Sequence, residues 1–416
     1  MKKFVLLSMA ISLMITTSFT NNKRDLRCPT NRAAIDIGQP PVTINPNLYR
    51  AEATLGQIFK LYAAGHDHLF NETFPYKEQN QVTYLAGDDT ISGKRVAYLW
   101  PTSGIFSGVN ALLKSTGDQK YAQMLDEIVL PGLQNYYDNS RSPACYQSYI
   151  ALAGKSDRFY DDNVWLALDF CESYMLTKHS EYLKKSIDTW QFVLSGWDDE
   201  LGGGIYWCEQ KKHSKNTCSN APAAVLAFKL FEATKDSSYF NWGVKIYEWT
   251  KTNLQDTTDN LYFDNKSLTG KIGRAKYTYN SGQMLQATAL LYKLTGKKEY
   301  LEEAKKVAAS AILHFTEDYK TTEGKTIRLF KNTGNWFNAI LFRGYAELFK
   351  LDENPEYIRI FQDNLDQLWN HVRNEDGLFS KDWTGKNNDE YKWLLDQASL
   401  VEIWAAMAEL NRKNGD

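Results

Sequence analysis

"YLEEAKKVAASAILHF", residues 300–315, sets apolar side chains at a helical spacing. Leu301, Ala304, Val307, Ala308, Ala311, Ile312 and Phe315 fall on one side, while Glu302, Glu303, Lys305 and Lys306 fall on the other. A helix of this kind lies on a surface and needs an apolar wall beneath it. The stretch just before it, "GQMLQATALLYKL" (residues 282–294), is apolar over much of its circumference and reads as that wall. The same character marks "NVWLALDFCESYML" (residues 163–176) and "NAPAAVLAFKLFEA" (residues 220–233).

This pairing of an interior helix with a surface helix recurs. Gln119-Lys-Tyr121, Ser180-Glu-Tyr182, Ser238-Tyr239, Lys298-Glu-Tyr300 and Pro355-Glu-Tyr357 follow one another at intervals of 57 to 61 residues. Inner helices are expected to start near Gly104, Asp161, Asn220, Asn280, Trp336 and Asp396. Outer helices are expected near Ala51, Gln119, Glu181, Ser237, Lys298 and Pro355. An open solenoid would end in a polar capping helix, yet the final "DQASLVEIWAAMAEL" is as apolar as the other inner segments. The N-terminal "AEATLGQIFKLYAA" can close a ring on it. The expected fold is therefore all-α, one (α/α)6 barrel over residues 46–416 with no linker to divide it. Ahead of it lie an expected signal peptide at residues 1–20 and an N-terminal extension at 21–45. Lys2 and Lys3 precede an apolar run, and Ser18 and Thr20 suit cleavage before Asn21, so the protein is expected to be exported, periplasmic or secreted. Lys23, Arg24, Asp25 and Arg27 ahead of Cys28 argue against a lipid anchor there.

With 48 Lys and Arg against 50 Asp and Glu there is no global field to attract nucleic acid, and none is expected as a partner. The basic cluster Lys211, Lys212, His213 and Lys215 reads as a solvated loop. No further window is apolar enough to span a membrane. Five cysteines leave at least one unpaired in an oxidising compartment. Cys208 and Cys218 lie close enough in sequence to bridge, and their spacing around His213 lacks the tight pairs of a zinc site. Neither a metal nor a cofactor is expected, and the chain is expected to act as a monomer.

Parallel inner helices would gather their N-termini at one end of the ring. The loops there carry Trp100, Tyr160, Asp161, Asp162, Trp207, Asn220, Asp264, Tyr279, Asn280, Trp336 and Trp383. Asp161 and Asp162 in "RFYDDNVWLALDF" could simply cap a helix. Two adjacent carboxylates exceed what one cap needs, and their repulsion separates an acid from a base. Carboxyl groups about 5 to 5.5 Å apart suit a retaining glycosidase, and neighbours at a helix start can reach that spacing. The loop aromatics Trp100, Trp207 and Trp336 offer faces on which a sugar ring can stack, whereas the helical Trp residues read as core.

"YDDNVWLALDF", "WDDELGGGIYW" (residues 197–207), "KNTCSNAPAAVLAFKLFEATKD" (residues 215–236), "YTYNSGQMLQATALLYKLTG" (residues 277–296) and "NWFNAILFRGYAELF" (residues 335–349) occur in this order. Together they resemble the glycoside hydrolases of family 76, the endo-acting α-1,6-mannanases. The resemblance implies an (α/α)6 barrel that hydrolyses α-1,6-linked mannan with retention, with α-mannan polysaccharide or oligosaccharide as substrate. It implies Asp161 as nucleophile and Asp162 as general acid/base. Asn220, Asn280 and Gln283 then contact sugar hydroxyls or cap helices, and Asp264 and Tyr279 join the substrate contacts. Trp336-Phe337-Asn338 stands where the family more usually has Lys-Gly after the aromatic. Asp198 and Asp199 read as turn residues. Two alternatives remain open from the residues alone: another (α/α)6 enzyme such as an unsaturated glucuronyl hydrolase, or a non-catalytic glycan-binding protein.

Overall fold

The structure, a computed structural model, describes residues 45–77, 85, 96–331 and 334–413. The expected leader, Cys28 and most of the 21–45 extension lie outside the described residues. Among the described residues twelve helices alternate between outer and inner positions. They are α1 (Pro46–Leu61), α2 (Leu99–Thr116), α3 (Gln119–Met124, the π turn Leu125–Val129 and Leu130–Gln134), α4 (Tyr160–Thr177), α5 (Ser180–Ser195), α6 (Thr217–Thr234), α7 (Ser237–Leu254), α8 (Thr278–Thr295), α9 (Lys298–Phe315), α10 (Asn335–Asp352), α11 (Pro355–Gln367 and the π turn Leu368–Val372) and α12 (Leu394–Lys413). The even-numbered six form a closed ring in which α2 packs on α4, α4 on α6, α6 on α8, α8 on α10, α10 on α12 and α12 on α2. The odd-numbered six wrap it, with α1 lying against α12. The fold is an (α/α)6 barrel.

Burial follows the sequence pattern. In α9 the buried residues are Ala304, Val307, Ala308, Ala311 and Phe315, one stripe of the helix, whereas Leu313 stays exposed. In α6 every residue from Thr217 to Phe228 is buried, because the helix is enclosed by the ring on one side and by outer helices on the other. Close packing around the ring needs small residues at the crossings. A Cβ on Gly282 of α8 would stand 2.5 Å from the Leu341 Cα of α10, and one on Gly344 would stand 2.4 Å from the Gly282 carbonyl oxygen.

The two ends of the barrel are built differently. At one end, each of five inner helices passes to its outer partner through two residues: Gly117-Asp118, Lys178-His179, Lys235-Asp236, Gly296-Lys297 and Glu353-Asn354. The first of each pair is left-handed, with φ of 69°, 62°, 63°, 70° and 53°. Four of these links follow a threonine, Thr116, Thr177, Thr234 or Thr295. Each hydroxyl donates to the carbonyl four residues earlier and accepts the amide two residues later. One side chain thus satisfies the helix end and fixes the turn. At the other end the links are long and hold all the short strands, including a three-stranded sheet of Ser214–Asn216, Phe263–Ser267 and Ile272–Lys276.

In four of the six inner helices the side chain at the fourth position stitches a long loop to the helix. Asn163 accepts the Tyr146 amide and donates back to the Tyr146 carbonyl. Asn220 does the same to Ile205, and Gln397 to Phe379. Ser281 accepts the Tyr262 amide. Each clamp treats a loop residue as a strand would, so the loops are held to the ring although they have little regular structure.

Two sequence expectations shift here. The first inner helix begins at Leu99, five residues before Gly104, because Pro101 is tolerated in a first turn that has no intrahelical amide bond to lose. Lys215 is not solvated. It is fully buried, and its ammonium donates to the Asp198 carboxylate at 2.6 Å and to the carbonyls of Glu200 and Gly203, pinning the glycine-rich turn beside α6.

Candidate active site

Asp161 and Asp162 occupy the first turn of α4, where unpaired helix amides and the helix dipole favour negative charge. The cap residue Phe159 contributes no side-chain bond, and of the two carboxylates only Asp161 accepts a first-turn amide, that of Asp162. Both keep a partly exposed face at the mouth of the ring.

Their surroundings differ. One Asp161 oxygen accepts the Trp207 indole N–H at 3.0 Å, the other accepts the Asp162 amide at 3.1 Å, and the Cys218 thiol donates to the same group. Burial pushes Asp161 up to about 6, and these donors, together with the group's own backbone amide, hold it from rising further. Asp162 has no comparable donor; burial, and then the charge of Asp161, lift it well above the usual carboxylate range. Two like groups are thereby placed in unequal states, with Asp161 the easier to ionise.

The donors are fixed by the loops. Tyr160 donates its amide to the Trp207 carbonyl, and the Phe159 and Trp207 rings pack at 5.0 Å. The Thr217 hydroxyl donates to the Phe263 carbonyl, which ties the strand carrying Asp264 to the start of α6. Cys218 therefore lies near both Asp161 and Asp264, and burial, then the fields of these two carboxylates, raise its thiol. Asp264 is itself raised by burial and restrained by Asn265 and Asn280. Fully buried Asn280 makes no hydrogen bond of good geometry yet lies near enough to Asp264 to oppose that shift. Tyr279 feels the charges of Asp264 and Asp161, and its ring packs on Phe337 at 4.4 Å.

The expected site residues thus divide. Asp161, Asp162, Trp207, Asp264, Tyr279 and Asn280 gather around the starts of α4, α6 and α8. Trp100 and Trp336 pack edge to face at 5.1 Å on the opposite half of the mouth, and Trp336 reaches Trp165 of α4 at 5.1 Å. Asn220 belongs to the scaffold. It is fully buried, and both of its amide hydrogens go to the Ile205 and Asn216 carbonyls. Gln283 is also buried and donates to Gln286, deeper in the barrel. Trp383 is spent on Asn335, to which its indole donates at 2.6 Å.

In the sequence Cys218 stands out only as a partner for Cys208 or, with His213, as a metal candidate. Cys145, Cys171, Cys208 and Cys218 are all free thiols, so the Cys208–Cys218 bridge does not form. Cys208 sits on the loop segment bridged to Phe159, and Cys218 faces Asp161 across the helix starts. The sequence places the start of α6 near Asn220 and leaves Cys218 in the loop before it; the helix begins at Thr217, which brings Cys218 into its first turn and against Asp161. Among the described residues no group of three His, Cys, Asp or Glu is arranged to hold a metal, and no helix is long and apolar enough to cross a membrane.

The model of glycosyl hydrolase family 76 matches residues 60–414. A family 76 mannosidase from Bacteroides thetaiotaomicron superposes with a TM-score of 0.82 at 30% identity, covering 89% of this chain and 100% of that one. The family 76 α-1,6-mannanase of a Salegentibacter species gives 0.70 at 26% identity, covering 87% and 99%. An inactive variant of that enzyme, with two consecutive aspartates changed to asparagine, has been captured with α-1,6-mannotriose. A putative mannan endo-1,6-α-mannosidase of Schizosaccharomyces pombe is 26% identical over 213 residues, covering 48% of this chain and 46% of its own length. The chain spans about half the length of the Schizosaccharomyces pombe relatives it matches, and about a quarter of a Saccharomyces cerevisiae one.

Proposed function

We propose, from the premise that this chain belongs to glycosyl hydrolase family 76, that it cleaves α-1,6-mannosidic bonds within mannan backbones with retention of configuration. The observation that carries this reading is the unequal pair at the start of α4, in which Asp161 has several hydrogen-bond donors and Asp162 has only a charged neighbour.

Asp161 attacks the anomeric carbon as the glycosidic C–O bond breaks, and Asp162 gives its proton to the departing oxygen. The glycosyl ester on Asp161 is then opened by water. Asp162, now ionised, takes the water's proton as the new C–O bond forms and the Asp161 carboxylate leaves. The Trp207, Cys218 and Asp162-amide donors hold Asp161 as an anion at neutral pH and fix its orientation. Asp264 and Tyr279 line the adjoining surface and offer an acceptor and a ring face to one sugar, with the buried Asn280 beside Asp264. Trp100 and Trp336 extend that surface across the mouth. The apolar leader at residues 1–20 supports export to the periplasm or beyond, where such a polysaccharide is met.

Debranched α-1,6-mannan digested with wild type, Asp161→Asn and Asp162→Asn tests the reading. Short oligosaccharides should appear from the outset with the α-anomer formed first. The Asp162 variant should lose about a hundredfold to ten-thousandfold in rate, the usual worth of a positioned acid. Mannose as the sole early product would contradict internal cleavage, and full activity in either variant would remove that residue from the chemistry.

A further inference from the structure

The half of the mouth opposite the Asp pair holds a second cavity, of about 240 Å³, lined by Trp100, Trp336, Phe337, Trp393, Lys381 and Asp396 together with Gly334. It lies over the starts of α2, α10 and α12, whereas Asp161 and Asp162 belong to α4, across the ring from α10. Three of its walls are tryptophans. Trp100 packs edge to face on Trp393 at 5.2 Å as well as on Trp336, and lies nearly parallel to Phe337.

Among these rings stands a carboxylate. Asp396 is 2% exposed, and one of its oxygens accepts the amide of Asn335 at the start of α10. The other lies 3.9 Å from the Lys381 ammonium, beyond hydrogen-bond reach. Burial pushes Asp396 up to about 6, so it is chiefly ionised at neutral pH. A buried carboxylate oxygen facing an aromatic cavity without a donor costs free energy unless a ligand hydroxyl or water meets it.

The charges decide what kind of ligand fits. Lys381 already stands over the Trp393 ring at 5.2 Å, which leaves no place for a second cation. Asp396 would repel an anion. A neutral polyol with one apolar face meets every requirement, since its face stacks on indole, a hydroxyl donates to Asp396, and another accepts from Lys381. A pyranose is such a molecule.

We infer that the cavity formed by Trp100, Trp336, Trp393, Lys381 and Asp396 is a sugar-binding subsite that holds a backbone mannose remote from the bond being cleaved. The inference rests on the mannanase reading and extends it. A continuous aromatic wall joins the two halves of the mouth: Tyr279 beside Asp161 packs on Phe337, and Trp165, one turn below the pair, packs on Trp336. One glycan chain can therefore lie across both. Asp396 and Lys381 act on specificity for chain length, while the bond-making groups stay on α4.

Two measurements test this. The first is kcat/KM for α-1,6-mannotetraose divided by kcat/KM for an aryl α-mannobioside, taken in wild type, Asp396→Asn and Lys381→Met. The expected result is a fall in that ratio of fivefold or more in both variants, carried by KM with kcat nearly kept. Asp396→Asn retains shape, and Lys381 is 43% exposed, so Lys381→Met keeps the test valid should the first variant fold poorly. The second is calorimetric binding of α-1,6-mannotetraose to an Asp161→Asn/Asp162→Asn protein, where adding either change should weaken affinity by a similar factor. An unmoved ratio with unchanged binding in an enzyme that cleaves mannan would overturn the subsite alone. A wild type that neither cleaves α-1,6-mannan nor, as the double variant, binds the tetraose would overturn the mannanase reading and the subsite with it.

Discussion

The indole N–H of Trp207 donates to the carboxylate of Asp161 at 3.0 Å, although the two residues are 46 positions apart and belong to different repeats. The bond joins a loop of one helix pair to the first turn of another. It separates the protonation states of two adjacent acids, since only one of them receives it.

Removing that donor while keeping the ring tests its worth. Trp207→Phe retains packing on Phe159 but removes one of the donors to Asp161, so its pKa should rise and the nucleophile should be less ionised at neutral pH. We expect kcat/KM on mannan to fall roughly tenfold, the worth of one charge-assisted hydrogen bond, and the acid limb of its pH profile to move upward. A profile that keeps its wild-type limb would show that the indole does not tune Asp161.

The wild-type pH profile follows from the same pair. Asp161 acts ionised, so activity should be lost as pH falls through about 6. Asp162 acts protonated, so activity should be lost again as pH rises through its own, higher value. A bell in kcat/KM is expected. An acid limb near 4, the ordinary carboxylate value, would contradict the burial of the pair.

Asn220 separates scaffold from site. Its carboxamide makes three bonds to loop and helix backbone, at 2.7, 2.8 and 2.8 Å, and Asn220→Ala leaves the Ile205 amide and carbonyl buried without partners. The cost should be about 2 to 4 kcal/mol of stability. Denaturant melts measure it directly. A loss of activity with unchanged stability would instead return Asn220 to the sugar contacts.

Below the site the barrel interior is charged. Asp169, two turns past Asp162 on α4, accepts the Ser107 hydroxyl at 2.6 Å, and burial pushes it up to about 7 despite Arg343 nearby. Its folded value lies above its unfolded one, so the folded state holds the proton longer. Stability from this group is greatest below about pH 4 and is lost as pH rises to about 7. Asp169→Asn removes that slope. Relative to wild type, the variant should gain about 2 kcal/mol more at pH 8 than at pH 5. An equal difference at both pH values would show that Asp169 does not titrate in that range.

The amino-acid sequence by itself determined the ring of paired helices. Helical periodicity is a local property, and a repeat of 57 to 61 residues needs no tertiary information to be seen. The stripe of Ala304, Val307 and Ala311 was legible because the side chains that share a helix face lie three or four positions apart. The Asp161–Asp162 pair was legible for the same reason, as two carboxylates at a helix start. What each helix start faces was decided only by the closed ring. Asn220 and Asn280 look alike in sequence, yet one clamps Ile205 and the other lies beside Asp264. Cys218 meets Asp161 rather than Cys208, Lys215 is drawn inward to Asp198, and Asp396 stands among three tryptophans from separate segments. Apart from Trp393 beside Asp396, those pairings join residues between 15 and 296 positions apart. Contacts across a barrel mouth depend on how the long loops return to the helix starts, which no local pattern encodes.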